Sequence, residues 1–178
     1  PFQIARVLMK QLLILLILFF IASACERSYE EFSGKYLVAF SCDISKSPFN
    51  KVQTSGYFLI VRSIAAKEGF IVIEPDGREH AFPYTEIQNR VFNFGLAGLI
   101  IGQPYFGEGL IYAYDLGCPQ CDRPSASLSV NAGGIATCAI CNRAYDLNNG
   151  GTLKTGDGRP LYRYRTTLNG NVLMVHNH

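Results

Sequence analysis

Two cysteine pairs of identical spacing carry the strongest chemical signal in this sequence. Cys118 and Cys121 form the first pair, in CPQC, and Cys138 and Cys141 form the second, in CAIC, with 16 residues between the pairs. A C-x-x-C turn can direct both thiolates to one point, and two such turns supply four soft ligands in a tetrahedral arrangement. The spacing therefore predicts a metal site, for which Zn²⁺, a single iron ion and an iron–sulfur cluster are all suitable occupants.

The four cysteines also allow two other interpretations. In an oxidising compartment they could form two disulfides, although disulfides need no paired C-x-x-C spacing. A thioredoxin-like redox pair would need a βαβ context and a helix N-terminus, and the sequence predicts neither. The regular spacing therefore favours a metal. Cys42 stands apart from the pairs and is predicted to be a buried or free structural cysteine.

The N-terminal segment has the pattern of a secretory signal. Residues 12–21 form an unbroken apolar run that follows the basic residue Lys10. The run is shorter than the about 20 residues that a membrane-spanning helix needs. Residues 1–24 are therefore predicted to be a signal peptide, with Met9 as the translation start.

The end of this segment predicts a lipid anchor. Small residues at positions 22–24 lead directly to Cys25, and the four residues resemble a bacterial lipobox, although leucine is usual where Ala22 stands. The resemblance implies that Cys25 is lipidated, that residues 25–35 form a polar tether, and that acyl chains bind the membrane. The protein would then lie in the bacterial cell envelope. The alternative is an ordinary signal peptide with an incidental cysteine at its end.

Composition and charge are those of one globular domain. The chain has 178 residues, of which 48% are hydrophobic and 17% are charged, so it is long enough for a sizeable core and too apolar for disorder. After residue 24, 14 basic residues balance 14 acidic residues. This balance leaves no electrostatic footprint for nucleic acid, and no nucleic-acid partner is predicted.

Most of the chain beyond the tether predicts an antiparallel β sandwich or barrel. Short segments rich in β-branched and aromatic residues are separated by turn signals. The predicted strands are residues 36–40, 56–63, 70–74, 95–102, 109–116, 161–168 and 171–177. Asp76-Gly77 predicts a type I′ hairpin turn between residues 70–74 and 78–84, and Asn169-Gly170 predicts a second hairpin turn. Only residues 85–92 predict a helix.

The residues that flank the cysteine pairs follow a specific order. The sequence Tyr-Ala-Tyr-Asp at 112–115 leads to a Cys-Pro loop, and the second loop leads to Tyr-Asp-Leu at 145–147, a glycine turn, and a Gly/Pro loop before the last hairpin. From about residue 109 to residue 175 this order resembles the Rieske family. The resemblance implies a Rieske-like β domain over residues 36–178 with a small two-loop metal-binding subdomain at about 109–160. It also implies a [2Fe–2S] cluster and electron transfer to an envelope redox partner.

The ligand residues depart from the Rieske pattern. That family has Cys-x-His in the first loop and Cys-x-x-His in the second. Here Cys121 stands one residue later than the first-loop histidine would, and Cys141 replaces the second-loop histidine. The histidines of this chain, His80, His176 and His178, all lie outside the loops. Histidine ligation raises the potential of a Rieske centre, so a cluster on four thiolates would have a lower potential. Ligand chemistry alone favours a single ion and the resemblance favours [2Fe–2S], and both remain open.

Neighbouring residues are predicted to have structural roles. Tyr112, Tyr114 and Tyr145 are expected in the core, and Asp115 and Asp146 are expected to accept hydrogen bonds from loop amides.

Other polar residues also receive structural interpretations. Asp122 and Arg123 are expected to form a solvated pair, and His176 and His178 to lie at a frayed terminus. The sequence contains neither G-x-S-x-G nor H-E-x-x-H, and no catalytic residue is predicted.

Two functional hypotheses follow. In the first, an iron centre on the four cysteines makes the protein an electron-transfer or redox-accessory lipoprotein, and Pro119 and Ile140 shield the centre and form the partner surface. In the second, the same cysteines bind Zn²⁺ in a structural or interaction module without redox activity.

Overall fold

A computed structural model describes residues 32–64, 68–107 and 109–177. One compact unit of the chain spans Glu31–His178. The predicted signal peptide, Cys25, most of the tether and His178 lie outside the described residues. Within those residues, no helix has the length and apolar character needed to cross a membrane.

The described chain is built mainly of short antiparallel strands, which confirms the predicted all-β class. Thirteen strands are present in the described residues: β1 Val38–Asp43, β2 Tyr57–Ser63, β3 Gly69–Ile73, β4 Glu79–Pro83, β5 Asn93–Phe94, β6 Leu99–Gln103, β7 Tyr112–Asp115, β8 Leu128–Val130, β9 Ile135–Cys138, β10 Ala144–Asp146, β11 Thr152–Leu153, β12 Arg163–Asn169 and β13 Val172–His176. One α-helix, α1 Glu86–Val91, and the 3₁₀ helices Phe49–Gln53 and Leu147–Asn149 accompany them.

The strands form a large sheet and a small sheet. The large sheet has nine strands in the order β4-β3-β2-β6-β7-β12-β13-β1-β5, and the small sheet has four in the order β11-β10-β9-β8. The large sheet curls over itself, because Phe40 of β1 meets Phe70 of β3 at 5.6 Å between ring centroids although five strands separate β1 from β3 in the sheet order. The result is a sandwich-like β domain with the small sheet beside it.

Two cores share the central strands of the large sheet. The first core lies inside the curled sheet, and the second joins the large sheet to the small one. On β6, Leu99 and Ile101 face the first core whereas Ile100 faces the second. Successive side chains of a strand point to opposite faces, so a strand that is buried on both faces is apolar without alternation.

The single predicted helix is confirmed. Thr85 caps α1 with its side chain, which accepts a hydrogen bond from the Gln88 backbone N–H, and the Gln88 side chain accepts from the Thr85 N–H. This reciprocal capping box satisfies two N–H groups that the helix itself leaves unpaired.

A hairpin turn is present at Asp76-Gly77, but the prediction that it is a type I′ turn is wrong. The Gly77 N–H donates to the Glu74 carbonyl and the Glu74 N–H to the Arg78 carbonyl, so the loop has three residues. Within it, positive φ is confined to Gly77, at 86°. The preceding Pro75 fixes a negative φ and favours a type I turn followed by a left-handed glycine.

Two other boundaries shift for backbone reasons. The last hairpin turns at Gly170 and Asn171 rather than at Asn169-Gly170, because Asn169 still pairs with Val172 and Gly170 supplies the positive φ of 58°. The strand predicted at residues 95–102 begins only at Leu99, since the glycines at 95 and 98 turn the chain with positive φ.

Candidate metal centre

The fold brings the four predicted ligand cysteines to one point. Their Sγ atoms all lie within 4.8 Å of one another, with 3.6 Å between Cys118 and Cys141 and 3.8 Å between Cys121 and Cys138. Four thiolates at about 2.3 Å from one tetrahedral ion lie about 3.8 Å from each other. A disulfide would require about 2.05 Å, and the described cysteines are all free. The cluster can therefore hold a metal ion.

The two ligand loops have the same backbone design. The Asp122 N–H donates to the Cys118 carbonyl at 2.8 Å, and the Asn142 N–H donates to the Cys138 carbonyl at 2.9 Å. Both donors have positive φ, 51° for Asp122 and 55° for Asn142. Aspartate and asparagine tolerate this left-handed conformation better than most residues. Each loop thus closes one tight turn that points its two thiols at the same centre.

Each pair has one buried and one partly exposed cysteine. Cys118 and Cys138 are fully buried, and Cys121 and Cys141 are partly buried. Strand pairing holds the buried members, because Cys138 ends β9 opposite Leu128 and the Cys118 N–H donates to the Ala126 carbonyl. The site is consequently anchored in the small sheet and opens at its other side.

Backbone N–H groups face the sulfurs of the second loop. The N–H groups of Ile140 and Cys141 point at Cys138, and that of Arg143 points at Cys141. Burial raises the pKa of the Cys138 thiol despite these donors. At Cys141, burial is outweighed by the Arg143 N–H and the neighbouring thiols, which lower the pKa to about 7. Hydrogen bonds of this kind stabilise thiolates and thereby the metal-ligating form.

Tyr145 contacts the centre directly. Its hydroxyl oxygen lies 3.5 Å from Cys118 Sγ, and the side chain is fully buried on β10, as predicted. Tyr114 is also a fully buried core residue, and its hydroxyl donates to the Leu147 carbonyl at 3.1 Å. The sequence predicted the core position of Tyr145 but not its contact with sulfur, which needs the tertiary structure.

Asp115 fixes the approach to the first loop. Its fully buried carboxylate accepts hydrogen bonds from the Gly117 N–H at 2.6 Å, the Leu96 N–H at 2.7 Å and the Tyr164 hydroxyl at 2.6 Å. Burial raises the pKa of Asp115 even so. Asp146 accepts from the Asn148 N–H at 3.0 Å, so both aspartates bind loop amides as predicted.

The predicted solvated pair of Asp122 with Arg123 is wrong. The Asp122 carboxylate accepts from the hydroxyls of Tyr162 at 2.7 Å and Tyr36 at 2.8 Å and forms an ion pair with Lys35. The Lys35 ammonium and the two hydroxyls lower the pKa of Asp122 to about 2. The first ligand loop is thereby bound to the segment that enters the domain from the tether.

Two other expectations near the loops are corrected. Pro119 is buried and cannot form part of a partner surface, whereas Ile140 is 47% exposed and can. His176 is not frayed, since it pairs with Ala39 and Arg165 within β13.

A second buried carboxylate lies outside the cysteine cluster. Glu74 accepts hydrogen bonds from Tyr57 and His80, the latter at 2.7 Å, and forms an ion pair with Lys51. These contacts, with Lys51 first, lower the pKa of Glu74 to about 2. His80 is thus engaged with Glu74 and is not a ligand of the cysteine site.

The cysteine cluster is the candidate metal site that the described residues form. The two loops bring four sulfurs within reach of one ion. The hydrogen bonds of Asp115 and Asp122 hold the first loop in place. A scan against protein-family models gives no match for this chain, and a search of curated proteins gives no significant relative.

Proposed function

We propose that this protein is a bacterial cell-envelope lipoprotein whose four cysteines hold a single Zn²⁺ ion. The observation that carries the proposal is the short mutual distance of the four sulfurs, all within 4.8 Å. In a [2Fe–2S] cluster the two pairs of thiolates bind different irons, so sulfurs of different pairs lie farther apart than around one ion. The Sγ distances of 3.6 Å for Cys118 and Cys141 and 3.8 Å for Cys121 and Cys138 match the spacing of thiolates around one ion, and the other pairs also lie within 4.8 Å.

A zinc ion with four cysteine ligands has a structural role by its chemistry. Catalytic zinc keeps an open coordination position for water or substrate, whereas four thiolates close the coordination sphere. The ion would fix the two loops and the surface around Ile140, and this surface would bind the partner. The order of the sequence motifs from about residue 109 to residue 175 is the support for a Rieske-like relationship of the β domain, with four cysteines in place of two cysteines and two histidines.

The envelope location rests on the N-terminal sequence. Cys25 follows an apolar run and three small residues, which is the pattern of a lipidated, exported protein. Acyl chains on Cys25 would bind the protein to a membrane.

A single iron ion is the second candidate, and the exposure of the site favours it. Cys121 and Cys141 are only partly buried, and Ile140 beside them is exposed. A redox partner could therefore approach the ion closely, and the protein would be an electron carrier.

Metal analysis and a visible spectrum of the full protein, purified without oxygen, test the proposal. We expect about one zinc per chain and no visible absorption. One iron per chain with thiolate-to-iron absorption would favour the second candidate, an electron carrier. Two irons per chain would refute a single-ion site.

Two matched variants complete this test. Cys138→Ala should lose the metal, because it removes one of four ligands. Cys42→Ala is the control, since Cys42 is also a buried free cysteine but lies on β1 outside the cluster. Unchanged metal content and affinity in Cys138→Ala would refute every form of the four-cysteine site.

A further inference from the structure

The loop between β6 and β7 projects large apolar side chains into solvent. Phe106 is 93% exposed, and Tyr105 and Leu110 are also exposed. The loop is held in place, because the Gly107 N–H donates to the Pro104 carbonyl at 3.2 Å and the Tyr105 N–H to Asn148 Oδ1 at 3.1 Å. A held loop that exposes three large apolar side chains indicates a contact surface for an apolar partner.

The last hairpin adds exposed apolar residues at the same end of the large sheet. β12 runs antiparallel to β7, with Arg163 opposite Tyr114, and the Thr166 hydroxyl donates to the Ile111 carbonyl at 2.7 Å. The later residues of β12 therefore extend past the start of β7, toward the projecting loop. Leu168 and Val172, at the hairpin, are both exposed. We name the five residues the apolar end: Tyr105, Phe106, Leu110, Leu168 and Val172.

The first described residue, Phe32, lies beside β12, and from there the chain runs to Lys35 and Tyr36 at the first ligand loop. The Phe32 ring centroid lies 5.2 Å from the guanidinium carbon of Arg163 and 5.3 Å from that of Arg165. The Arg163 guanidinium also lies 4.0 Å over the Tyr112 ring, two residues beyond Leu110. Seven residues of chain lead from Cys25 to Phe32, and these span at most about 25 Å.

We propose that the apolar end is a membrane-docking surface that inserts into the bilayer interface beside the lipid anchor. This inference rests on the lipidation of Cys25 in the proposed function. A bilayer is the partner that the observations favour, because an acyl anchor on Cys25 holds Phe32 within the length of the tether. Tyrosine and phenylalanine side chains suit the interface, and Arg163 and Arg165 beside Phe32 attract anionic headgroups.

Docking in this orientation directs the metal centre away from the membrane. β7 runs from Tyr112 toward Cys118, so the first ligand loop lies beyond the opposite end of that strand. β9 likewise ends at Cys138, whereas the turn before it binds Asn148, which also holds Tyr105. The ligand loops would therefore face the aqueous side.

Tryptophan fluorescence tests this proposal, because the chain contains no tryptophan. In Phe106→Trp the single tryptophan replaces a side chain that is almost fully exposed, so the core is unchanged. The lipidated full protein is reconstituted into vesicles of phosphatidylcholine and phosphatidylglycerol with brominated acyl chains. We expect a blue-shifted emission and loss of most of its intensity by bromine quenching.

Ile87→Trp is the matched control. Ile87 is 75% exposed on α1, which precedes β5 and the start of β6 and so leads to the metal end of the sheet. Its tryptophan should remain unquenched in the same vesicles. Equal emission and equal quenching of the two variants would overturn the proposal.

Flotation of the vesicles distinguishes a failure of the docking proposal from a failure of the lipid-anchor proposal. If the Phe106→Trp protein floats but its tryptophan emits as in water, the anchor stands and docking is overturned, and the apolar end would then serve a protein partner. If the protein does not float, the lipid anchor is refuted, and the same emission is measured with excess vesicles. A blue shift there would support docking without an anchor, and its absence would overturn docking as well.

Discussion

The hydroxyl oxygen of Tyr145 lies 3.5 Å from the Sγ atom of Cys118, and both residues are fully buried. Burial and the neighbouring Cys118 thiol raise the pKa of Tyr145, so its hydroxyl keeps its proton. When Cys118 binds a metal as a thiolate, this proton can be donated to the sulfur. The contact therefore links the packing of β10 to the charge of the metal centre.

Removal of this donor should weaken metal binding. Tyr145→Phe keeps the ring and deletes the hydroxyl, and a hydrogen bond to a charged acceptor contributes about 1.5 kcal/mol or more. We expect metal affinity to fall roughly tenfold, measured by competition with a chromophoric chelator. Tyr114→Phe is the control, because its hydroxyl binds the Leu147 carbonyl in the same core. Equal affinities for the two variants would show that the sulfur contact does not stabilise the bound state.

The left-handed backbone conformation of Asn142, in the second ligand loop, should control the shape of the site. Asn142 has φ of 55° and an exposed side chain, so its replacement removes little packing. Asn142→Val should destabilise the metal-bound loop by about 1–2 kcal/mol, since β-branched residues oppose positive φ. Asn142→Gly should bind metal as the wild type does, in the same chelator titration. Tight binding by the valine variant would show that the turn is not needed for ligation.

Stability should fall in acid through Glu74. Its pKa is about 2 in the folded protein, below the about 4.3 of a free glutamate, so its contribution is complete above about pH 5. That contribution is lost as the pH falls through about 4 toward 2, because protonation removes the ion pair with Lys51. We expect Glu74→Gln to reduce the pH dependence of the free energy of unfolding, measured by urea denaturation at several pH values between 6 and 2.

Glu79→Gln is the control for this pH dependence. Glu79 is an exposed carboxylate on β4, the neighbouring strand, so its loss changes the net charge equally. The Glu79→Gln profile should follow that of the wild type. A wild-type slope retained in Glu74→Gln would assign the acid sensitivity to other carboxylates, such as Asp122.

Cys25→Ser should release the protein from the membrane. The substitution removes the thiol that would carry the lipid and leaves the rest of the leader unchanged. We expect incorporation of a labelled fatty acid in the wild type and none in Cys25→Ser. Cys42→Ser is the control for labelling at another cysteine, and labelling of Cys25→Ser would place the lipid elsewhere.

The ligand cluster was predictable because its signal is local. Each C-x-x-C pair fixes its own turn, and the equal spacing of Cys118, Cys121, Cys138 and Cys141 predicts that two similar turns meet. The main strands were predictable because β-branched and aromatic residues mark them. β6 reads as a continuous apolar segment, and the structure supplies the reason, since its two faces belong to different cores.

The missed features depend on contacts that are distant in sequence or on very short elements. Strands β8 to β11 have two to four residues, too few for a periodic pattern. The Asp122 network joins residues 40 and 86 positions apart, so no local pattern reveals it. Burial of Pro119 likewise follows from packing that its neighbours in sequence do not determine.

The central strands, which are buried on both faces, would couple an ion bound by the four cysteines to the whole β domain thermodynamically. Phe58 and Leu59 on β2, like Ile100 and Ile101 on β6, are adjacent residues that serve different cores. If one core unfolds, the strands that it shares with the other core also lose their packing in that core. Ion binding would stabilise only the folded state. Its free energy would therefore also stabilise strands that lie far from the cysteines. A chelator should consequently behave as a denaturant of the entire domain, lowering a single cooperative transition rather than loosening two loops.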